Sequence, residues 1–161
     1  MVKIAPSILA ANLMDMKNEI ELVDASGADY IHIDVMDGHY VNNIAFGPNM
    51  VKSMRSHTKK ILDVHLMISP VKQFVNEFIV AGADIISFHP DADKNSKDII
   101  KQIKATDCKA GIAIHPKVSI NDIVVFLDKI DIVIVMTVVP GFGGQKFMQS
   151  EVNKINELVK I

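Results

Sequence analysis

The residues able to do chemistry fall in a few short stretches. His32-Ile33-Asp34 sets an imidazole and a carboxylate two residues apart. In an extended chain, alternation puts both on one face, about 6.6 Å apart along the strand. Asp63-Val64-His65 repeats the pattern. Two histidines and a carboxylate brought together from adjacent strands suit a divalent transition metal such as zinc, iron, manganese or cobalt. A lone buried histidine is more often satisfied by its neighbours, but His32, Asp34 and His65 at three matching positions favour metal binding. Pro140-Gly141-Phe142-Gly143-Gly144-Gln145 is a second candidate. Glycines there let backbone N–H groups approach an anion closely, and such a loop between strand and helix cradles phosphate in many α/β proteins. Tight turns want glycine too. The position of Gly141, Gly143 and Gly144 favours a phosphate or sugar-phosphate ligand. Met36, Met67 and Met136 each follow an apolar run; they either fill core gaps or form a soft apolar cup that sheds water from a charged intermediate. Asp37 before Gly38 reads equally as a turn residue or as support for the site. His39 and His57 receive no role.

Positioning such residues requires elements that repeat. Short β-branched runs alternate with helical patterns, and the runs start roughly 25 residues apart, the length of one strand-plus-helix unit. The predicted strands are Lys3–Ile8, Tyr30–Val35, Ile61–Leu66, Ile85–His89, Lys109–His115 and Ile132–Val138. Apolar stripes at 3.6-residue spacing mark the helices: Leu13, Met16, Ile20 and Val23; Val71, Phe74, Val75, Phe78 and Ile79; Ile99, Ile100 and Ile103; Val152, Ile155, Leu158 and Val159. Pro48 after Gly47 opens the second helix. Ser26-Gly27-Ala28-Asp29 and Ala81-Gly82-Ala83-Asp84 close two helices alike, with glycine as the left-handed terminator. Ile132-Val133-Ile134-Val135-Met136 is apolar without alternation, as in a parallel strand covered on both faces.

Six such units imply an α/β protein, either an open doubly wound sheet or a closed barrel. Ser7, His32 with Asp34, His65, His89 and His115 fall late in, or at the end of, five successive strands. A (β/α)8 (TIM) barrel gathers its site at those ends, whereas an open sheet binds at one switch point. The barrel is therefore expected. The chain has 161 residues, and a full barrel takes at least about 200. Residues 1–161 thus read as one incomplete barrel domain of six units. Its first and sixth strands would carry unpaired edges, which invite self-association into a homo-oligomer.

Composition excludes several classes. Seventeen basic against nineteen acidic residues give a net charge of −2, with no electrostatic footprint for nucleic acid or an anionic membrane. No apolar run reaches the roughly 18 residues of a membrane span, and no signal peptide is evident. The single cysteine, Cys108, rules out an internal disulfide framework. A cytoplasmic location is the expectation.

Taken together, Ala5-Pro6-Ser7-Ile8-Leu9-Ala10, His32 to Gly38, Leu62 to Met67, Val135 to Val138 and Pro140 to Gln145 resemble the ribulose-phosphate 3-epimerase family. That resemblance implies a (β/α)8 barrel interconverting D-ribulose 5-phosphate and D-xylulose 5-phosphate through an enediolate. It implies a divalent metal on His32, Asp34 and His65, with Asp34 also the first acid–base residue at C3. Ser7 would contact substrate, Met36, Met67 and Met136 would form the cup, and Gly141 to Gly144 would form part of the phosphate site. The family's second acid–base aspartate belongs to a seventh strand, which these residues do not include. The alternatives are a sister epimerase for allulose 6-phosphate and a non-catalytic fragment of a barrel.

Overall fold

The computed structural model describes all 161 residues. Its strands are β1 (Tyr30–Asp37), β2 (Ile44–Ala45), β3 (Ile61–Met67), β4 (Ile85–Phe88), β5 (Lys109–Ile114) and β6 (Ile132–Val135). They form one sheet in the order β2-β1-β3-β4-β5-β6, parallel throughout except for the two-residue β2. The α-helices are α1 (Met16–Ala25), α2 (Pro48–Arg55), α3 (Val75–Val80), α4 (Ser96–Lys104) and α5 (Val152–Leu158). This is an α/β fold with part of a (β/α)8 barrel.

Alternation divides the sheet into two chemically different faces. Ile31, Ile33 and Val35 of β1, Leu62, Val64 and Leu66 of β3, Ile86 and Phe88 of β4, and Ile112 and Ile114 of β5 point one way. They join the buried helix residues Val51, Met54, Val75, Phe78, Ile99 and Ile103 in one apolar core. Burial of that surface is what holds helices to sheet. The opposite face carries His32, Asp34, Asp63, His65 and Ser87, none of which contributes to that core. It is the face left for chemistry.

The repeated Gly-Ala-Asp has a structural meaning beyond the helix stop. Gly27 and Gly82 do take positive φ, 82° and 101°. The aspartate that follows then reaches back to the start of the preceding extended segment: Asp29 accepts from the Ile4 N–H at 2.8 Å and Asp84 from the Leu62 N–H at 2.8 Å. Asp131, before β6, does the same for the Ala110 N–H at 2.9 Å. Each acid satisfies a backbone donor that the next strand cannot reach.

Four expectations are corrected. Lys3–Ile8 lies beside β1, but it is not a strand. Only Ser7 bridges, to His32, although the Pro6 carbonyl accepts from the His32 N–H at 2.9 Å. Proline supplies no N–H for a ladder, and Ser7 immediately turns the chain into the 3₁₀ turn Ile8–Ala10. Leu13 lies before α1 and is exposed, so only Ile20 of the first stripe is fully buried. The fifth unit has 3₁₀ turns, Ile120–Asp122 and Val124–Lys129, in place of an α-helix; the β-branched Ile123-Val124-Val125 crowds a helical turn. Lastly, all four residues of β6 are half-buried rather than covered on both faces, because β6 pairs with β5 alone.

Candidate active site

Parallel pairing in register places β1 against β3 so that His32 faces Asp63, Asp34 faces His65 and Met36 faces Met67. Alternation keeps His32 and Asp34 on the inner face, and register supplies their partners from the next strand. The carboxylate Oδ1 of Asp34 lies 3.3 Å from Nε2 of His32 and 3.0 Å from Nδ1 of His65. One ligand atom from each of the three side chains falls within 4.8 Å of the others. Each is also held from behind. His32 Nδ1 lies 2.8 Å from Oδ2 of Asp63, Ser7 Oγ donates to Oδ2 of Asp34 at 2.6 Å, and His65 Nε2 meets Nε2 of His89 at 2.9 Å.

This donor set fits a divalent metal. Two imidazole nitrogens and a carboxylate oxygen converge, and a second carboxylate behind His32 fixes that ring in the way metal-ligating histidines are commonly fixed. The electrostatics agree. Burial works against a charged His32, but Asp34 and Asp63 outweigh it and lift its pKa to about 10. Burial likewise opposes ionisation of Asp34, yet hydrogen bonds from His32 and His65 hold its carboxyl well below the usual range. The site therefore concentrates charge that a cation can replace. His65 and His89, deeply buried, are both pushed down by desolvation.

Above these groups opens a cavity of about 560 Å³, a size that encloses a small metabolite. Ser7, His32, Asp34, His65, Met36, Met67, Met136, Gly141, Gly143 and Gly144 all line it. These ten residues are thus brought to the walls of a single cavity, whereas His89 and His115, also expected at strand ends, do not line it. Met36 and Met67 are fully buried and pack with Val41; Met136 is partly exposed.

The glycine loop departs from expectation in one respect. It does not open a helix, since α5 begins only at Val152. Instead the loop closes on itself, with the Met148 N–H bonded to the Thr137 carbonyl at 2.8 Å and Gln145 Nε2 donating to the carbonyls of Val139 and Phe142 at 2.6 and 2.8 Å. Gly141 and Gly144 take positive φ, 123° and 71°, conformations that glycine adopts without strain. The N–H groups of residues 141 to 144 bond to no carbonyl of the chain. Asn43 Nδ2 ties the Gly141 carbonyl to the β1 side at 2.8 Å.

Asp37 resolves as a turn residue. It accepts from the N–H groups of His39 and Tyr40, at 2.8 and 3.1 Å, and from the Ser69 N–H at 2.8 Å. His39 and His57 are exposed and away from the cavity. Two partners were given no role from the sequence, Asp63 behind His32 and His89 behind His65. The signal for Asp63 was its shared face with His65. For His89 it was position at a strand end. The apolar wall of Leu9, Ile134, Val138, Val139 and Phe142 carried no chemical signal at all. No helix is long and apolar enough to cross a membrane.

The chain is 45% identical over 160 residues to the ribulose-phosphate 3-epimerase of Rhodobacter capsulatus, the match covering 98% of this chain and 70% of that protein. It is 46% identical over 161 residues to the ribulose-phosphate 3-epimerase of Bacillus subtilis, covering 100% and 74%. Among solved structures, phosphonopyruvate hydrolase in complex with oxalate and Mg²⁺ superimposes with a TM-score of 0.55 at 15% identity, over 96% of this chain and 57% of that one, a likeness of fold alone. Residues 3–161 match the ribulose-phosphate 3 epimerase family; with relatives at this identity, the chain belongs to that family of isomerases.

Proposed function

We propose that the cavity binds D-ribulose 5-phosphate and that Asp34 moves the proton at C3, on the way to D-xylulose 5-phosphate. The observation that carries this reading is Asp34 itself. It is the one carboxylate in the cavity wall, held between His32 and His65 at 3.3 and 3.0 Å while Ser7 fixes its second oxygen. An ionised carboxylate held in one orientation can take a proton from a carbon next to a ketone. A divalent ion on His32, Asp34 and His65, of zinc, iron, manganese or cobalt type, would polarise that ketone and stabilise the enediolate charge. The N–H groups of Gly141 to Gly144 would receive the phosphate. Met36, Met67 and Met136 would exclude water from the reacting carbon, and Ser7 and His65 would border the sugar.

A single carboxylate serves only one face of C3, whereas inversion needs a proton delivered to the other. In D2O with added Zn²⁺ or Mn²⁺, these 161 residues should put deuterium at C3 of D-ribulose 5-phosphate at least about a hundredfold faster than they form D-xylulose 5-phosphate, the contribution of one missing acid–base group. NMR of the recovered sugars reads both rates. Equal rates would show that a second proton donor is present and would displace this assignment. D-allulose 6-phosphate in the same assay distinguishes the sister activity.

The proposal extends to residues 1–161 acting as one domain, to a cytoplasmic setting and to a homo-oligomer. What supports self-association is β6, whose half-buried Ile132–Val135 has one paired edge and one unpaired. Sedimentation velocity should then show a species heavier than the 17.8 kDa chain; a monomer at every concentration would remove this part.

A further inference from the structure

His89 stands just past β4, fully buried and outside the cavity wall. Its Nε2 lies 2.9 Å from Nε2 of His65. Its other nitrogen, Nδ1, is buried without a hydrogen-bond partner, and Tyr40 covers its ring, centroid to centroid 4.7 Å. A histidine placed only for packing would not leave one ring nitrogen orphaned while aiming the other at a candidate metal ligand.

Two neutral imidazoles meeting nitrogen to nitrogen share one proton, so one ring donates and the other accepts. The direction follows from the far side of His65. With Asp34 Oδ1 3.0 Å from His65 Nδ1, the metal-free ring carries its proton on Nδ1 and donates it to the carboxylate. His65 Nε2 must then accept from Nε2–H of His89. When His65 Nδ1 gives its lone pair to a metal, Nε2 has to carry the proton, and His89 Nε2 has to accept it.

We propose that His89 is a positioning residue for the metal site, reversing its hydrogen bond with His65 between the metal-free and metal-loaded states. The proton on His89 Nε2 passes to His65 Nε2. The proton displaced from His65 Nδ1 leaves to solvent, and His89 Nδ1, without a partner in the metal-free state, takes one up. The pair holds two protons before and after, and both rings stay neutral. An imidazole does this by changing tautomer; an aliphatic side chain cannot. The inference rests on the reading of His32, Asp34 and His65 as metal ligands.

The test uses the whole chain with ¹⁵N-labelled histidine and Zn²⁺ as the probe. Long-range ¹⁵N–¹H correlation should show His89 protonated on Nε2 without zinc and on Nδ1 with it. Zinc affinity by competition with a chelating dye should fall about 10–100-fold in His89→Leu, as for loss of other outer partners of metal ligands. In His89→Gln it should stay within about threefold, because an amide can either donate or accept. The same His89 tautomer in both states, or wild-type affinity in a folded His89→Leu, overturns the inference. Loss of zinc binding in Asp34→Asn shows that the metal reading holds while His89 is judged. A wild-type chain that takes up no zinc overturns both.

Discussion

Asp34→Asn should lower deuterium exchange at C3 of D-ribulose 5-phosphate by about a thousandfold or more, within the range assigned to a positioned acid–base group. The amide is nearly isosteric but has no basic oxygen to take the proton. It also gives up the charge that faces His32 and His65 at 3.3 and 3.0 Å, so zinc affinity should fall in the same variant. The fold should survive, because Asp34 sits on the inner face and contributes nothing to the apolar core. Circular dichroism and a thermal melt check that point. Exchange within tenfold of wild type in a folded Asp34→Asn would take Asp34 out of the mechanism.

The largest stability effect of a single polar change should come from Asp93→Ala. Asp93 is buried between the chain after β3 and the loop after β4. It accepts from the N–H groups of Val71 at 2.9 Å, Lys72 at 3.0 Å and Asn95 at 2.9 Å, and from the Asn95 side-chain amide at 2.8 Å. Alanine would leave the buried Val71 N–H and its neighbours without an acceptor. Each such group costs about 1–3 kcal/mol, and with partial rescue by water the total should be about 2–4 kcal/mol. Urea denaturation at pH 7 reads it; a loss below about 1 kcal/mol would show that water replaces the carboxylate fully. The pH dependence has a definite sign. Burial tends to raise this carboxyl, but the backbone and amide donors hold it below its ordinary value. Wild type therefore has its full advantage over Asp93→Ala above the unfolded carboxylate value of about 3.9. The advantage disappears as the pH falls through Asp93's own lower value.

Much of the site was legible because side-chain direction is a local property. Once Tyr30 to Asp37 is extended, alternation alone puts His32, Asp34 and Met36 on one face and Ile31, Ile33 and Val35 on the other, and the structure shows those faces as cavity wall and core. Gly47-Pro48 and the two Gly-Ala-Asp stops are local in the same sense, since φ preferences act within one or two residues. Five strand positions followed from such signals. What only the tertiary structure decided is which side chains meet across strands. The β1–β3 register puts Asp63 behind His32, and the ring of His89 comes up behind His65 from just past β4; no period along one segment encodes either contact. Asp29 and Asp84 read only as parts of helix stops, and Asp131 carried no signal; in the structure each carboxylate accepts from a backbone donor at the start of the segment before. Burial is decided in the same way. Ile132–Val135 has the composition of a doubly covered strand, yet its exposure depends on what lies beside it. Lys3–Ile8 has the composition of a strand, yet it forms a single bridge, because pairing needs free N–H groups and a partner in register.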